Sequence, residues 1–222
     1  MNTNIIAIDG PAGVGKGTLA AKLASHYGWA TLDTGSLYRA VALHLLEHGF
    51  DMENIDEAGA VTAAAAMTAS GKLLEYSRRP EIRRSDISQY TSKIAAIPKL
   101  REAIRQYQVD FGRHPPNGAK GAIAEGRDIG TAIFPDAPVK IFLTARPEVK
   151  ARRRYDEYRE KGAEADYNAI LSDMMERDRR DTTRADNPLV PSQDAVIIDT
   201  SDMDREQVFE AARRIVDERI KL

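Results

Sequence analysis

The chain has no cysteine among its 222 residues. That excludes disulfides, thiolate-held metals and a thiol nucleophile, and it suits a reducing compartment. Neither sign of charge prevails: 32 Lys and Arg face 34 Asp and Glu, a net charge of −2. Bulk attraction to nucleic acid or to a membrane surface is therefore not expected. No apolar run approaches the roughly 20 residues of a membrane span. The first residues lack the basic stretch and apolar segment of a secretory signal, so a cytoplasmic protein is expected. The four histidines, His26, His44, His48 and His114, show no metal-ligand spacing. His44 and His48 are four apart on a predicted helix, but no third ligand is nearby. No Asn-Lys pair occurs, so the N-K-x-D motif of guanine-specific switches is missing. No repeat of solenoid period is present.

What is present begins at the end of an apolar run. Ile5-Ile6-Ala7-Ile8 leads into Asp9-Gly10-Pro11-Ala12-Gly13-Val14-Gly15-Lys16-Gly17-Thr18. A glycine-rich turn between a buried strand and a helix wraps backbone N–H groups around a polyphosphate and aims the positive helix end at it. Gly10, Gly13 and Gly15 allow the close approach that a Cβ would block. Lys16 can reach the outer phosphates of a nucleotide. The spacing departs from G-x-x-x-x-G-K-[ST] in one place: Gly17 follows the lysine and the hydroxyl comes at Thr18.

The rest alternates. Strands are predicted at residues 4–9, 30–33, 122–124, 139–143 and 195–199, the last as a buried strand. A helix is expected from Lys16 to about Tyr27, closing at Gly28. Leu37, Val41, Leu45 and Leu46 mark another, stopping at Gly49. Val208, Ala211, Ala212, Ile215, Val216 and Ile220 share one face of a final helix, with Asp202 or Asp204 near its start. Such alternation implies an α/β fold, a parallel sheet with helices on both faces, and ligands at the strands' carboxyl ends. The turns after Ile8, Leu32 and Ala124 all leave such ends. Two stretches stand outside the sheet. Residues 51–117 read as mostly helical and end at the strong break His114-Pro115-Pro116-Asn117-Gly118; residues 146–186 read as a charged helix pair around Gly162.

Three further constellations carry chemistry. In Asp33-Thr34-Gly35-Ser36-Leu37-Tyr38-Arg39, Thr34 or Ser36 can cap the next helix, and Arg39 follows one turn in. In Glu125-Gly126-Arg127-Asp128-Ile129-Gly130-Thr131, Arg127 offers a two-donor fork for phosphate and Asp128 an acceptor for an exocyclic amine. Segment 146–186 holds eleven cations and eleven acidic residues. Within it, Arg177, Asp181 and Arg184 fall at i, i+4 and i+7, one helical face.

Together these motifs resemble bacterial cytidylate kinases, within the nucleoside monophosphate kinases. The resemblance runs nearly end to end. It comprises I-D-G-P-A-G-V-G-K-G-T at 8–18, L-D-T-G-S-L-Y-R at 32–39, Ile97-Pro98 with Leu100-Arg101, and G-R-D-I-G-T at 126–131. It continues through F-P-D-A-P-V-K-I-F-L at 134–143, E-R-D-R-R-D-T-T-R at 176–184, P-L-V-P at 188–191 and D-A-V-I-I-D-T at 194–200.

The resemblance implies the P-loop nucleoside monophosphate kinase fold, with residues 1–50, 118–145 and 187–222 as core, 51–117 as a monophosphate-binding lobe and 146–186 as a lid. It implies phosphoryl transfer from ATP to CMP or dCMP, with Mg²⁺. Residues 10–18 would hold ATP. Thr34, Arg39, Ser92, Arg101, Arg127, Asp128, Arg177, Asp181 and Arg184 would form the monophosphate site and lid. Arg39 and Arg127 would grip the CMP phosphate, and Arg101 and Asp128 would read the base. Ser92, Arg177 and Asp181 would touch the sugar, and Arg184 would reach the phosphates in transfer, with Lys16, Arg127 and Arg184 as catalytic cations. No protein metal site is implied beyond Thr18; Mg²⁺ would be held mainly by nucleotide phosphates and water. A monomer acting on small nucleotides is expected. A kinase for UMP, AMP or a sugar acid on the same fold is the alternative. One departure stands out: residues 73–88 are shorter than the family's usual insert, which carries extra strands, so a trimmed lobe is expected.

Overall fold

The computed structural model describes residues 4–221, apart from the side chain of Ser85. The chain divides into two compact units, Met1–Leu32 with His114–Leu222, and Asp33–Arg113.

The first unit is built on a sheet of β1 (Asn4–Asp9), β2 (Ala30–Asp33), β3 (Gly121–Gly126), β4 (Val139–Thr144) and β5 (Val196–Asp199), in the order β2-β3-β1-β4-β5. The pairings of β1 with β3, β1 with β4 and β4 with β5 are all parallel. Ile5, Ile6, Ala7 and Ile8 are all buried. Both faces of this central strand are covered, so its sequence is continuously apolar rather than alternating.

Helix α1 (Lys16–Tyr27) lays Leu19, Ala20 and Leu23 into the core and ends at Gly28, whose φ of 68° lets its N–H return to Ala24 O at 2.9 Å. The strand at 196–199 differs from expectation. It forms an edge, and its Ile197 is 57% exposed while Ile198 is buried. An apolar run of this length reads alike on a covered strand and on an edge, so its sequence could not separate the two.

The second unit begins at the end of β2. It holds α2 (Thr34–Glu47), α3 (Glu57–Ser70), α4 (Lys72–Ser77), α5 (Ser85–Ile94) and α6 (Pro98–Arg113). The cap of α2 is Asp33, not Thr34 or Ser36: its carboxylate accepts from Ser36 N at 3.0 Å, while Ser36 Oγ donates to Asp33 O at 2.6 Å. A carboxylate in non-helical backbone takes the orphan amide ahead of a hydroxyl already inside the helix. The helix stops where Gly49, at φ 78°, allows Phe50 N to reach back to Leu45 O at 3.1 Å. Residues 73–88 form most of α4, a 3₁₀ turn at Pro80–Arg83 and the start of α5. The short insert therefore supplies no strand.

The chain then returns to the sheet. In the first unit, α7 (Pro147–Glu160) and α8 (Tyr167–Thr183) pair through Lys150, whose ammonium is buried against the Asp178 carboxylate. The last helix, α9 (Arg205–Arg219), starts at a capping box. Asp204 accepts from the amides of Glu206 and Gln207 at 2.8 Å each, and the Gln207 side chain accepts from Asp204 N at 2.9 Å. Val208, Ala212 and Val216 then point into the core. Asp204→Ala removes one half of this reciprocal pair. It should cost about 1 kcal/mol, seen as a lower urea midpoint at unchanged m-value.

Candidate active site

The glycine loop after β1 has the geometry expected of it. Gly10 has φ 147°, and a Cβ there would fall 2.2 Å from Leu143 O, on the backbone of β4. No side chain can replace it without moving the strand. Gly15, with φ 97°, caps α1. Pro11 and Val14 are buried, Ala12 is half-buried, and Gly13, Gly15, Gly17 and Thr18 are exposed. Lys16 is buried, and its ammonium donates to Gly10 O at 2.9 Å and Pro11 O at 2.7 Å. The cation is thus held across the loop it serves. A Cβ on Gly13 would meet Met174 of α8 at 2.9 Å and the Lys150 side chain of α7 at 3.2 Å, so α7 and α8 both abut the loop. A Cβ on Gly17 would lie 3.0 Å from Glu125 Oε1. A carboxylate therefore stands beside the position where the common motif has its hydroxyl residue.

The loop after β3 is the neighbour of the loop after β1, because Asp9 and Gly126 are register partners. It enters a single π-helical turn at Ile129–Ile133, with Ile133 N and Phe134 N donating five residues back to Asp128 O and Ile129 O. Such turns are rare and concentrate at functional sites.

Arg127 and Asp128 open this turn. Arg127 Nε donates to Asp181 Oδ2 at 2.8 Å, and an Arg184 nitrogen lies 3.6 Å from Asp128 Oδ1. Both acids are buried, and the Arg184 side chain is only 7% exposed. Burial raises the Asp181 carboxyl, but Arg127, Arg177 and Arg184 outweigh it and hold the carboxyl below the usual range. Burial likewise opposes the charge on Arg127, and Asp181, together with Asp178 and Glu125, more than offsets it. The i, i+4, i+7 spacing of Arg177, Asp181 and Arg184 therefore delivers one electrostatic cluster. Its geometry departs from the predicted helical face at one end: α8 stops at Thr183, and Arg184 is the extended C-cap.

Asp9 is the residue that sequence reasoning missed. It is buried at the end of β1 and accepts from Ile129 N at 2.8 Å and Gly130 N at 2.7 Å. Burial pushes its carboxyl up to about 6, against the pull of the two amides and of Lys16, while Asp128 adds to the rise. The only local signal was an acid closing an apolar strand; its partners lie 120 and 121 residues on.

The second unit carries the remaining predicted residues. Thr34 is buried in the first turn of α2. Arg39 donates to Ile82 O at 3.1 Å and Ser88 Oγ at 2.6 Å. Arg101 is buried on α6, donates to Ala95 O at 3.2 Å and lies 5.7 Å from the centre of the Tyr38 ring. Ser92 is buried on α5, and its hydroxyl has no hydrogen-bond partner among the described residues. His44 and His48 are neighbours, ring centres 3.9 Å apart. Among the described residues no group of three or more His, Cys, Asp or Glu side chains could hold a metal.

Known proteins resemble this one along almost its whole length. A family model described as Cytidylate kinase matches residues 6–218. A cytidylate kinase of Paramagnetospirillum magneticum is 47% identical over 214 residues, 96% of this chain and 98% of that protein. One from Rhizobium meliloti is 45% identical over 219 residues, 99% and 98% of the two chains. A crystal structure of an uncharacterized protein from Eubacterium ventriosum, 16% identical, covers 98% of this chain and all of that one with a TM-score of 0.53. That likeness is one of fold.

The Arg127–Asp181 pair yields a pH-dependent prediction. Because the folded Asp181 carboxyl titrates below its unfolded value of about 3.8, its stabilisation is present above that pH and is lost as pH falls through the folded value. Asp181→Asn should therefore destabilise at pH 7, by about 3 kcal/mol for a broken buried pair. Urea unfolding of the two proteins should show the gap shrinking below pH 4.

Proposed function

The chain belongs to the cytidylate kinase family, and we propose that the residues described above carry its transfer of the terminal phosphoryl group of ATP to CMP or dCMP. One observation supports this above the others. A phosphate loop with its lysine, and a buried arginine cluster interleaved with carboxylates, stand on neighbouring strand ends of one sheet.

In-line transfer needs no nucleophilic side chain, because an oxygen of the CMP phosphate attacks the terminal phosphorus. The chain supplies position and charge. Residues 10–18 cradle the donor phosphates, and Lys16 leaves its loop carbonyls to follow the charge on the transferred group. Arg127 grips the acceptor phosphate while Asp181 holds its guanidinium in place, and Arg184 stabilises the equatorial oxygens. Asp128 accepts from the cytosine amino group. Arg177 and Asp181 contact the ribose. In the second unit, Thr34, Arg39, Ser92 and Arg101 are assigned to the monophosphate: Arg39 to its phosphate, Arg101 to its base, Ser92 to its sugar. Residues 51–117 serve as the monophosphate lobe and 146–186 as the lid that keeps water from the donor.

Magnesium, when bound, neutralises charge on the phosphate oxygens. The surroundings fit a hard cation: Thr18 is exposed on the first turn of α1, and the Glu125 carboxylate borders that turn at Gly17. With no acidic cluster at hand among the described residues, most of its ligands come from the nucleotides and water. The near-zero net charge supports action on small nucleotides rather than nucleic acid. Scattered exposed apolar side chains, with Met175, Val190 and Ile197 the large ones among the described residues, support a monomer.

An acceptor panel with ATP as donor tests the reading. CMP and dCMP should be phosphorylated, with UMP and AMP far slower; equal rates for UMP, whose base has a carbonyl in place of the amino group, would reject the amine-reading role of Asp128. Lys16→Met should lower kcat by at least about 10²-fold with an unchanged circular-dichroism spectrum. Arg127→Ala should raise the KM for CMP by about tenfold or more, the worth of a charge-assisted hydrogen bond, and leave the KM for ATP nearly unchanged.

A further inference from the structure

The Asp9 carboxylate belongs to no part of the machinery assigned so far, yet it touches the frame of both halves. Its own backbone leads directly into Gly10, the first residue of the donor loop. Its side chain takes the N–H groups of Ile129 and Gly130, immediately after Arg127 and Asp128. We propose that Asp9 is a positioning residue for phosphoryl transfer: its two carboxylate oxygens fix the acceptor-binding turn at a set distance from the donor loop.

Three observations carry this. The two bonds are short, 2.8 and 2.7 Å, one to each oxygen, so the carboxylate is held by a fork and cannot rotate. The turn it holds is π-helical, a rare geometry found mostly as single turns at functional sites. The turn is also closely packed. A Cβ on Gly130 would come within 3.2 Å of Lys140 Cδ and touch Asp9 Oδ2 at 3.4 Å, so the backbone of the turn lies directly against both side chains. A buried anion is costly unless it is fully hydrogen-bonded. A neutral amide would fill the same space more cheaply but would offer one acceptor oxygen, where the carboxylate offers one to each donor. In-line transfer loses about 10²-fold for a displacement near 1 Å, which is the tolerance such a fork can enforce.

The inference rests on the acceptor role of Arg127, and the experiment separates the two. Asp9→Asn keeps the shape but turns one acceptor into an NH₂ group facing an amide N–H. The KM for CMP should rise and kcat should fall, each about tenfold, with the KM for ATP within about threefold of its original value. In the Asp9→Asn, Arg127→Ala double variant the losses should be non-additive, because Asp9 acts through the turn that carries Arg127. Gly130→Ala, whose methyl would crowd the Lys140 side chain at 3.2 Å and so shift the turn that Asp9 holds, should reproduce the CMP-selective loss, and it serves if Asp9→Asn does not fold. A fall in kcat with both KM values unchanged would mean a merely structural residue and would overturn the proposal. An equal rise in the KM for ATP, or additive losses in the double variant, would overturn it too. If Arg127→Ala alone leaves the KM for CMP unchanged, the acceptor reading itself falls and this inference falls with it.

Discussion

Gathering three arginines around one carboxylate is first of all an electrostatic problem. Arg127, Arg177 and Arg184 all act on one carboxylate, Asp181, which is buried and ionised because of them. Without it three guanidinium groups would repel one another in a low-dielectric setting, where like charges cost far more than in water. With it they are held in place, and Asp128 does the same for Arg184 from the opposite loop. The acids thus hold the cations together in the folded chain, as fixed charges that need little further reorganisation.

The sheet converts this local arrangement into a site. Parallel strands deliver their carboxyl ends to one edge, and the register of β1 with β3 sets Asp9 beside Gly126. Two loops far apart in sequence start from adjacent points. Close packing then limits their freedom: Gly10 lies against the backbone of β4, and Gly13 against Lys150 and Met174. Each of these glycines marks a place where the loop has no slack.

The legible part of this architecture is the part whose cause is local. The glycine loop, the strand before it and α1 after it are contiguous, and the residues whose pattern announces them lie within 28 positions. The continuous apolar run of β1 and the four-residue spacings of α9 are equally local. Arg177 and Asp181 could be joined by helical periodicity alone. What escaped was non-local or finely balanced. The Asp9 fork depends on strand register. The cap of α2 turned on which of three adjacent polar residues reached the orphan amide. The exposure of Ile197 followed from β5 lying at the margin of the sheet, a fact of strand order that no single strand encodes.

That margin has a further consequence. The sheet ends in β2 on one side and β5 on the other, and each is only four residues long. Roughly 13 Å of unpaired backbone is a poor template for a foreign strand, and a newcomer would form few hydrogen bonds before running out of partner. Brevity at both borders keeps the exposed Ile197 from seeding growth of the sheet into a neighbouring molecule.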